Sequence, residues 1–191
     1  MDRLSIDIET FSSVDLKKSG VFRYSESPDF EILLFAYAYN DNPVEIVSFA
    51  EGERLPDKVL NDLYSDLVTK TAFNAPFEIT CINAYFKDRK LDIRQWECTM
   101  VHAYYLGLSG SLGVIAKLLN LDVAKDTAGT LLINYFSKPC KPTITNKGRT
   151  RNLPEHSIDK WNSFKSYCKT EVEVERVFSF ITSDAADEED S

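Results

Sequence analysis

The chain of 191 residues is short of sulfur, of histidine and of long apolar runs, and each shortage excludes something. Its four cysteines, Cys81, Cys98, Cys140 and Cys168, lie far apart with no CxxC spacing. They make neither a thiolate metal cluster nor a disulfide framework, so a reducing cytoplasm is the expected setting. No apolar run approaches the roughly 20 residues of a membrane span, and the N-terminus lacks the pattern of a signal peptide. Internal repeats are absent. The two histidines, His102 and His156, are read as structural or surface residues, and Trp96 and Trp161 as core or rim aromatics. Basic residues are outnumbered, 22 Lys and Arg against 30 Asp and Glu, and the net charge of −8 argues mildly against a nucleic-acid partner. That average conceals a segregation. Residues 137–151, SKPCKPTITNKGRTR, carry Lys138, Lys141, Lys147, Arg149 and Arg151 with no acid, whereas the tail from Ser183, SDAADEEDS, is acidic. An anionic partner therefore stays open, and residues 184–191 are expected to form a disordered tail or linker stub.

What is present suffices for one compact domain. With 43% hydrophobic and 12% aromatic residues, a chain of this size buries roughly 70% of its unfolded surface. LSIDIE, residues 4–9, alternates Leu4, Ile6 and Ile8 with Ser5, Asp7 and Glu9, a strand with one apolar face and two carboxylates on the other. FEILLFAYAYN, a turn around Asn40–Pro43 and VEIVSFA read as a hairpin. LPDKVLNDLYSDLV has helical spacing with Pro56 near its start. TAFN reads as a short strand and APFEITCINAYF as a helix. A short strand and a helix start fall between Gln95 and Leu108, and helical stretches follow around 111–120 and 123–136. A long helix then spans about Pro154 to Ile181. The order predicts an α/β fold with a mixed, mainly five-stranded sheet flanked by helices.

Acids stand where apolar residues are expected. In the last helix Phe164, Tyr167, Glu171, Val174, Phe178 and Ile181 fall at spacings of three and four, one stripe with a carboxylate inside it. Glu173 points away and Glu175 falls at the stripe's edge, so both are expected to be solvated. Glu78 shares a helix face with Ile82 and Tyr85, while Asn74 either caps that helix or turns toward a site. Each acid alone has an ordinary alternative, a boundary residue paired with Lys or Arg. Four converging carboxylates, Asp7, Glu9, Glu78 and Glu171, cannot all stay charged without a cation, and they are the hard oxygen ligands of Mg²⁺ or Mn²⁺.

These residues resemble a known family. IDIET, NAPFE and YCKTE resemble the three motifs of DEDD-type 3′–5′ exonucleases. The tyrosine marks the DEDDy variety, since the DEDDh variety has a histidine five residues before the last acid, where this chain has Ser166. More closely, AFNAPFE, QWECTMVHAYYLGLSGSLGVIAKLLNL, YFSKPCKPTITNKGRTRNLPEH and YCKTEVEVERVF resemble the proofreading domain of bacteriophage-type family A DNA polymerases, up to about residue 180. The resemblance implies a ribonuclease H-like fold over residues 1–183 and removal of nucleotides from a single-stranded or frayed 3′ DNA end. It implies two divalent ions, Mg²⁺ or Mn²⁺, held by Asp7, Glu9, Glu78 and Glu171, with Tyr167 orienting the attacking water. Asn74, Thr10, Phe11, Lys138, Lys141, Lys147, Arg149 and Arg151 are the implied substrate contacts, although core packing is an equal alternative for Phe11 and Phe73. The implied partner is a polymerase domain in cis or in trans, and the implied setting is the host cytoplasm if the chain is phage- or prophage-encoded. The family pattern has Asp at the second and third motifs, and this chain has Glu at both; the extra methylene of Glu171 is the less familiar departure. Nothing after residue 183 is long enough for a polymerase, so an excised domain or a free-standing exonuclease is expected. Three rivals stay open: a scaffold of the same fold that binds DNA or a polymerase, a metal-dependent nucleotide-sugar glycosyltransferase, and a structural protein whose acids are paired with Lys and Arg.

Overall fold

In the computed structural model, residues 2–108, 110–120 and 126–189 are described, with the backbone alone for 126–128 and 181–189. The core is a five-stranded sheet of order β3-β2-β1-β4-β5. Its strands are β1 (Asp2–Phe11), β2 (Glu31–Tyr39), β3 (Glu45–Ser48), β4 (Val68–Ala72) and β5 (Trp96–Cys98). β1 occupies the centre. It pairs antiparallel with β2, Asp7 opposite Ala36, and parallel with β4, Leu4 opposite Lys70. β2 and β3 form the predicted hairpin, and β5 adds to β4 in parallel. The sheet is therefore mixed, as the early hairpin requires. β2 is apolar nearly throughout because both of its faces are covered.

Helices α1 (Leu16–Ser25), α2 (Asp57–Asp62) and α3 (Ala75–Tyr85) precede β5; α4 (Thr99–Tyr105), α5 (Leu112–Leu118), α6 (Asp126–Phe136) and α7 (Ile158–Glu189) follow it. Leu4, Ile6 and Ile8 pack with Val59, Leu63, Cys81 and Ile82 on one face. On the other, Phe11, Leu34 and Ala36 meet Phe136, Trp161, Phe164, Cys168 and Val172 of α6 and α7. Phe136 anchors that layer, its ring centroid 4.9 Å from Trp161 and 5.4 Å from Phe164. The result is three layers, helices on both faces of a sheet.

Some boundaries differ from expectation. α1 was not predicted from the sequence, because it lacks an apolar repeat and is interrupted by Gly20 at φ 76°. Its start is fixed by Asp15, whose carboxylate accepts from the Lys17 and Lys18 amides. Residues 123–125 of the expected helix over 123–136 lie outside the described residues. α7 runs to Glu189, into the residues 184–191 that the sequence assigns to a disordered tail or linker stub; Ala185, Ala186, Glu188 and Glu189 are all favourable in a helix. No helix among the described residues is long and apolar enough to cross a membrane.

Candidate active site

The C-terminal end of β1, the first turn of α3 and the middle of α7 border a cavity of about 740 Å³. Asp7, Glu9, Thr10, Asn74, Glu78, Lys138, Tyr167 and Glu171 all line it. Period-two geometry puts Asp7 and Glu9 on one face of β1. The β1–β2 register slips between Glu9 and Thr10, a bulge at the edge of the cavity. Asn74 sits at φ 75°, ψ 45°, a left-handed turn that asparagine tolerates, and its side chain makes no capping bond. That turn starts α3, where Pro76 costs no helical hydrogen bond. Glu78, in the same first turn, is 3% exposed and its Oε2 has no hydrogen-bond partner among the described residues. Tyr167 and Glu171 share a face of α7, and the Tyr167 hydroxyl donates to the Glu171 carboxylate. The Cys168 thiol donates to Asp7 Oδ2 at 3.2 Å.

The acids disfavour one another's charge. Burial, and then the neighbouring Glu171, push the Asp7 carboxyl up to about 8, against the lowering effect of the Cys168 thiol. Burial raises Glu9, with Asp7, Glu171 and Glu78 adding to it, and burial with Asp7 raises Glu78. No ion pair among the described residues involves Asp7, Glu9 or Glu78. Hard oxygen donors with a buried, unpartnered carboxylate oxygen among them suit a divalent cation, which would remove both the repulsion and the orphaned acceptor. The fit is one of chemistry: among the described residues no three acids, cysteines or histidines are drawn into a ready-made cage.

The chain is 59% identical, over 176 residues, to a DNA polymerase of Bacillus phage SP02. The match takes in 92% of this chain and 27% of that polymerase, so the chain spans about a quarter of the length of its relative. No family model matches it. Among solved structures, one described as the apo form of the nuclease superposes with a TM-score of 0.61 at 12% identity, over 95% of this chain and 71% of that one. Brucella melitensis NrnC with bound Mg²⁺ gives a TM-score of 0.48 at 12% identity, over 95% and 82%. The five-stranded mixed sheet flanked by helices, together with the likeness to the first of these structures, is consistent with a ribonuclease H-like fold.

The remaining residues named from sequence are dispersed. Phe11 is 3% exposed in the core, outside the cavity, with the Arg151 guanidinium 3.9 Å above its ring centroid. Arg151 also pairs with Glu31 at 2.5 Å. Lys141 and Lys147 are exposed on a loop beyond the cavity wall, and Arg149 is half-buried. Phe73 does line the cavity. Sequence reasoning missed the β1–α1 loop, whose Ser12, Ser13 and Asp15 form one wall, and Tyr24, whose hydroxyl lies 2.8 Å from Thr10 Oγ1. It also misjudged Glu175. That residue is 2% exposed, not solvated, because α4 and β4 cover the flank of α7. Thr71 donates to its Oε2 at 3.3 Å, and burial, opposed by the Thr71, Ser5 and Thr99 hydroxyls, pushes its carboxyl up to about 7.

Proposed function

We propose that the chain is a metal-dependent 3′–5′ exonuclease of the DEDDy kind, the proofreading module of a phage-type family A DNA polymerase joined in cis or bound in trans. The observation that carries this reading is the convergence of Asp7 and Glu9 from β1, Glu78 from α3 and Glu171 from α7 on one cavity, beside a tyrosine hydroxyl hydrogen-bonded to the last acid. Two divalent ions, Mg²⁺ or Mn²⁺, held by these four acids would neutralise the phosphodiester and activate water for in-line displacement. Tyr167 orients that water. Its hydroxyl is pushed well above the ordinary phenol range by burial and Glu171, so it remains a donor at neutral pH. Asn74 and Lys138, both lining the cavity, contact the terminal nucleotide and its phosphate. Water adds to phosphorus, the bond to the penultimate 3′ oxygen breaks, and a nucleoside 5′-monophosphate leaves as that oxygen gains a proton.

The test is digestion of a 5′-labelled single-stranded oligonucleotide. A ladder shortening from the 3′ end is expected with Mg²⁺ or Mn²⁺. Asp7→Ala combined with Glu9→Ala should abolish it while the fold persists, since the pair removes a repulsive cluster and little core volume. Undiminished digestion by the double variant, or in excess EDTA, would overturn the reading. DNA bound but left intact by the parent would favour the scaffold.

A further inference from the structure

Gly129 lies within α6, where glycine is disfavoured against alanine by about 1 kcal/mol. It is a buried position. A Cβ built there would stand 2.2 Å from Cε2 of Tyr167 and 2.7 Å from both its Cδ2 and Cζ, closer than any real Cβ contact. The ring lies directly on the α6 backbone at this point. The neighbouring Phe164 ring runs nearly parallel to it, at 7° and 6.4 Å between centroids, and Phe164 is stacked on Phe136 of the same α6. Tyr167 and Phe164, both of α7, thus each rest on α6, at Gly129 and at Phe136. Any side chain at 129 must rotate the Tyr167 ring away, and the hydroxyl at the end of that ring is the group that reaches Glu171 in the cavity.

We infer that Gly129 is a positioning residue: the missing Cβ is the seat that holds the Tyr167 ring, and so its hydroxyl, at the catalytic acids. The inference rests on the proposed role of Tyr167, but the seat itself does not. A displacement of about 1 Å in a group that aligns the nucleophile costs roughly a hundredfold in rate. The helix accepts an unfavourable residue for the sake of that alignment.

A double-mutant cycle separates the two parts. Gly129→Ala should lower Tm in the parent, because the methyl collides with the ring. In a Tyr167→Ala background the same change should raise Tm, since helix propensity is then unopposed. This reversal of sign needs no activity, so it decides the seat even if the parent fails to digest DNA, an outcome that would sink the nuclease reading instead. In single-turnover digestion, Gly129→Ala should fall at least tenfold, to the rate of Tyr167→Phe, and Gly129→Ala with Tyr167→Phe should be no slower than the slower single variant. A Gly129→Ala protein with the parent's Tm would overturn the seat. Losses in rate that multiply in the double variant, or a Gly129→Ala rate equal to the parent's, would overturn the positioning role.

Discussion

Glu175 stands one helical turn after Glu171, buried where a solvated charge was expected, and its surroundings make it a stability sensor. Thr71 of β4 donates to one of its oxygens, and the other, Oε1, has no partner among the described residues. Arg3 favours its ionised form without contacting it; that guanidinium is committed to Ser179 and to Glu97, the latter at 3.0 Å. Burial outweighs these and leaves the folded carboxyl titrating at about 7, against 4.5 ordinarily. A carboxyl whose folded pKa is raised binds its proton more tightly in the native state. Its stabilising contribution is thus complete below pH 4.5 and is lost as pH rises to about 7. The loss amounts to about 3 kcal/mol. Glu175→Gln keeps the shape and cannot ionise, so stability of the parent relative to this variant should decline across that window and level off above it. Denaturant titrations at half-unit pH steps, in chelator, measure the difference; a pH-independent difference would show that Glu175 is solvated after all.

At the scale of elements, the basic segment between α6 and α7 divides into two parts with different tasks. Its fold is internally tied: the Asn146 side chain bonds the Thr143 amide and the Lys141 carbonyl, each at 2.8 Å, and the Cys140 amide donates to Thr150. Arg151 is spent on Glu31 and Phe11, whereas Lys138 faces the cavity and Lys141 and Lys147 face solvent. Neutralising Lys138 and Lys141 together should therefore reduce the slope of log affinity against log salt for single-stranded DNA by about 1.4. Arg151→Gln should leave that slope unchanged and cost about 1 kcal/mol of stability. An unchanged slope for the lysine pair would make the segment a solvated loop. This division was illegible in the sequence, where five basic residues looked alike; only the fold brings Glu31, 120 positions away, to Arg151. The same holds for Glu175, since a helical wheel shows one apolar stripe but not that α4 and β4 close over its flank. What the sequence did make legible was local and periodic. LSIDIE gave a central strand because alternation decides which side chains share a face, and NAPFE gave a helix start because Pro76 suits a first turn. α1 escaped, having no repeat to read and a glycine at φ 76° inside it.

Across the whole molecule, the net charge of −8 and the acid-lined cavity work in the same direction. Asp7, Glu9 and Glu78 are all raised first by burial, with Glu171 adding to Asp7, and Asp7 adding to both Glu9 and Glu78, so at neutral pH the metal-free protein holds protons, or repulsion, that its unfolded chain does not. For Asp7 the ordinary value is 3.8 and the folded one about 8, so without metal its contribution to stability is lost as pH climbs through that interval. A cation reverses the sign of the local problem: bound to the folded state alone, it stabilises by RT ln(1 + [L]/Kd), about 2.7 kcal/mol at a hundred times Kd. For a chain of this size that is a rise in Tm of roughly 5–10 °C. The expected result at pH 8 is a Tm that climbs with added Mg²⁺ or Mn²⁺. Asp7→Asn combined with Glu9→Gln should behave oppositely on both counts. It should be more stable than the parent in chelator, because much of the repulsion is gone, and it should no longer respond to either metal, because two of the four anionic donors are neutralised. Differential scanning calorimetry of both proteins across a metal titration reads the two effects separately. A parent whose Tm ignores both metals would remove the cation from the cavity, and would leave four crowded carboxylates without the group that explains them.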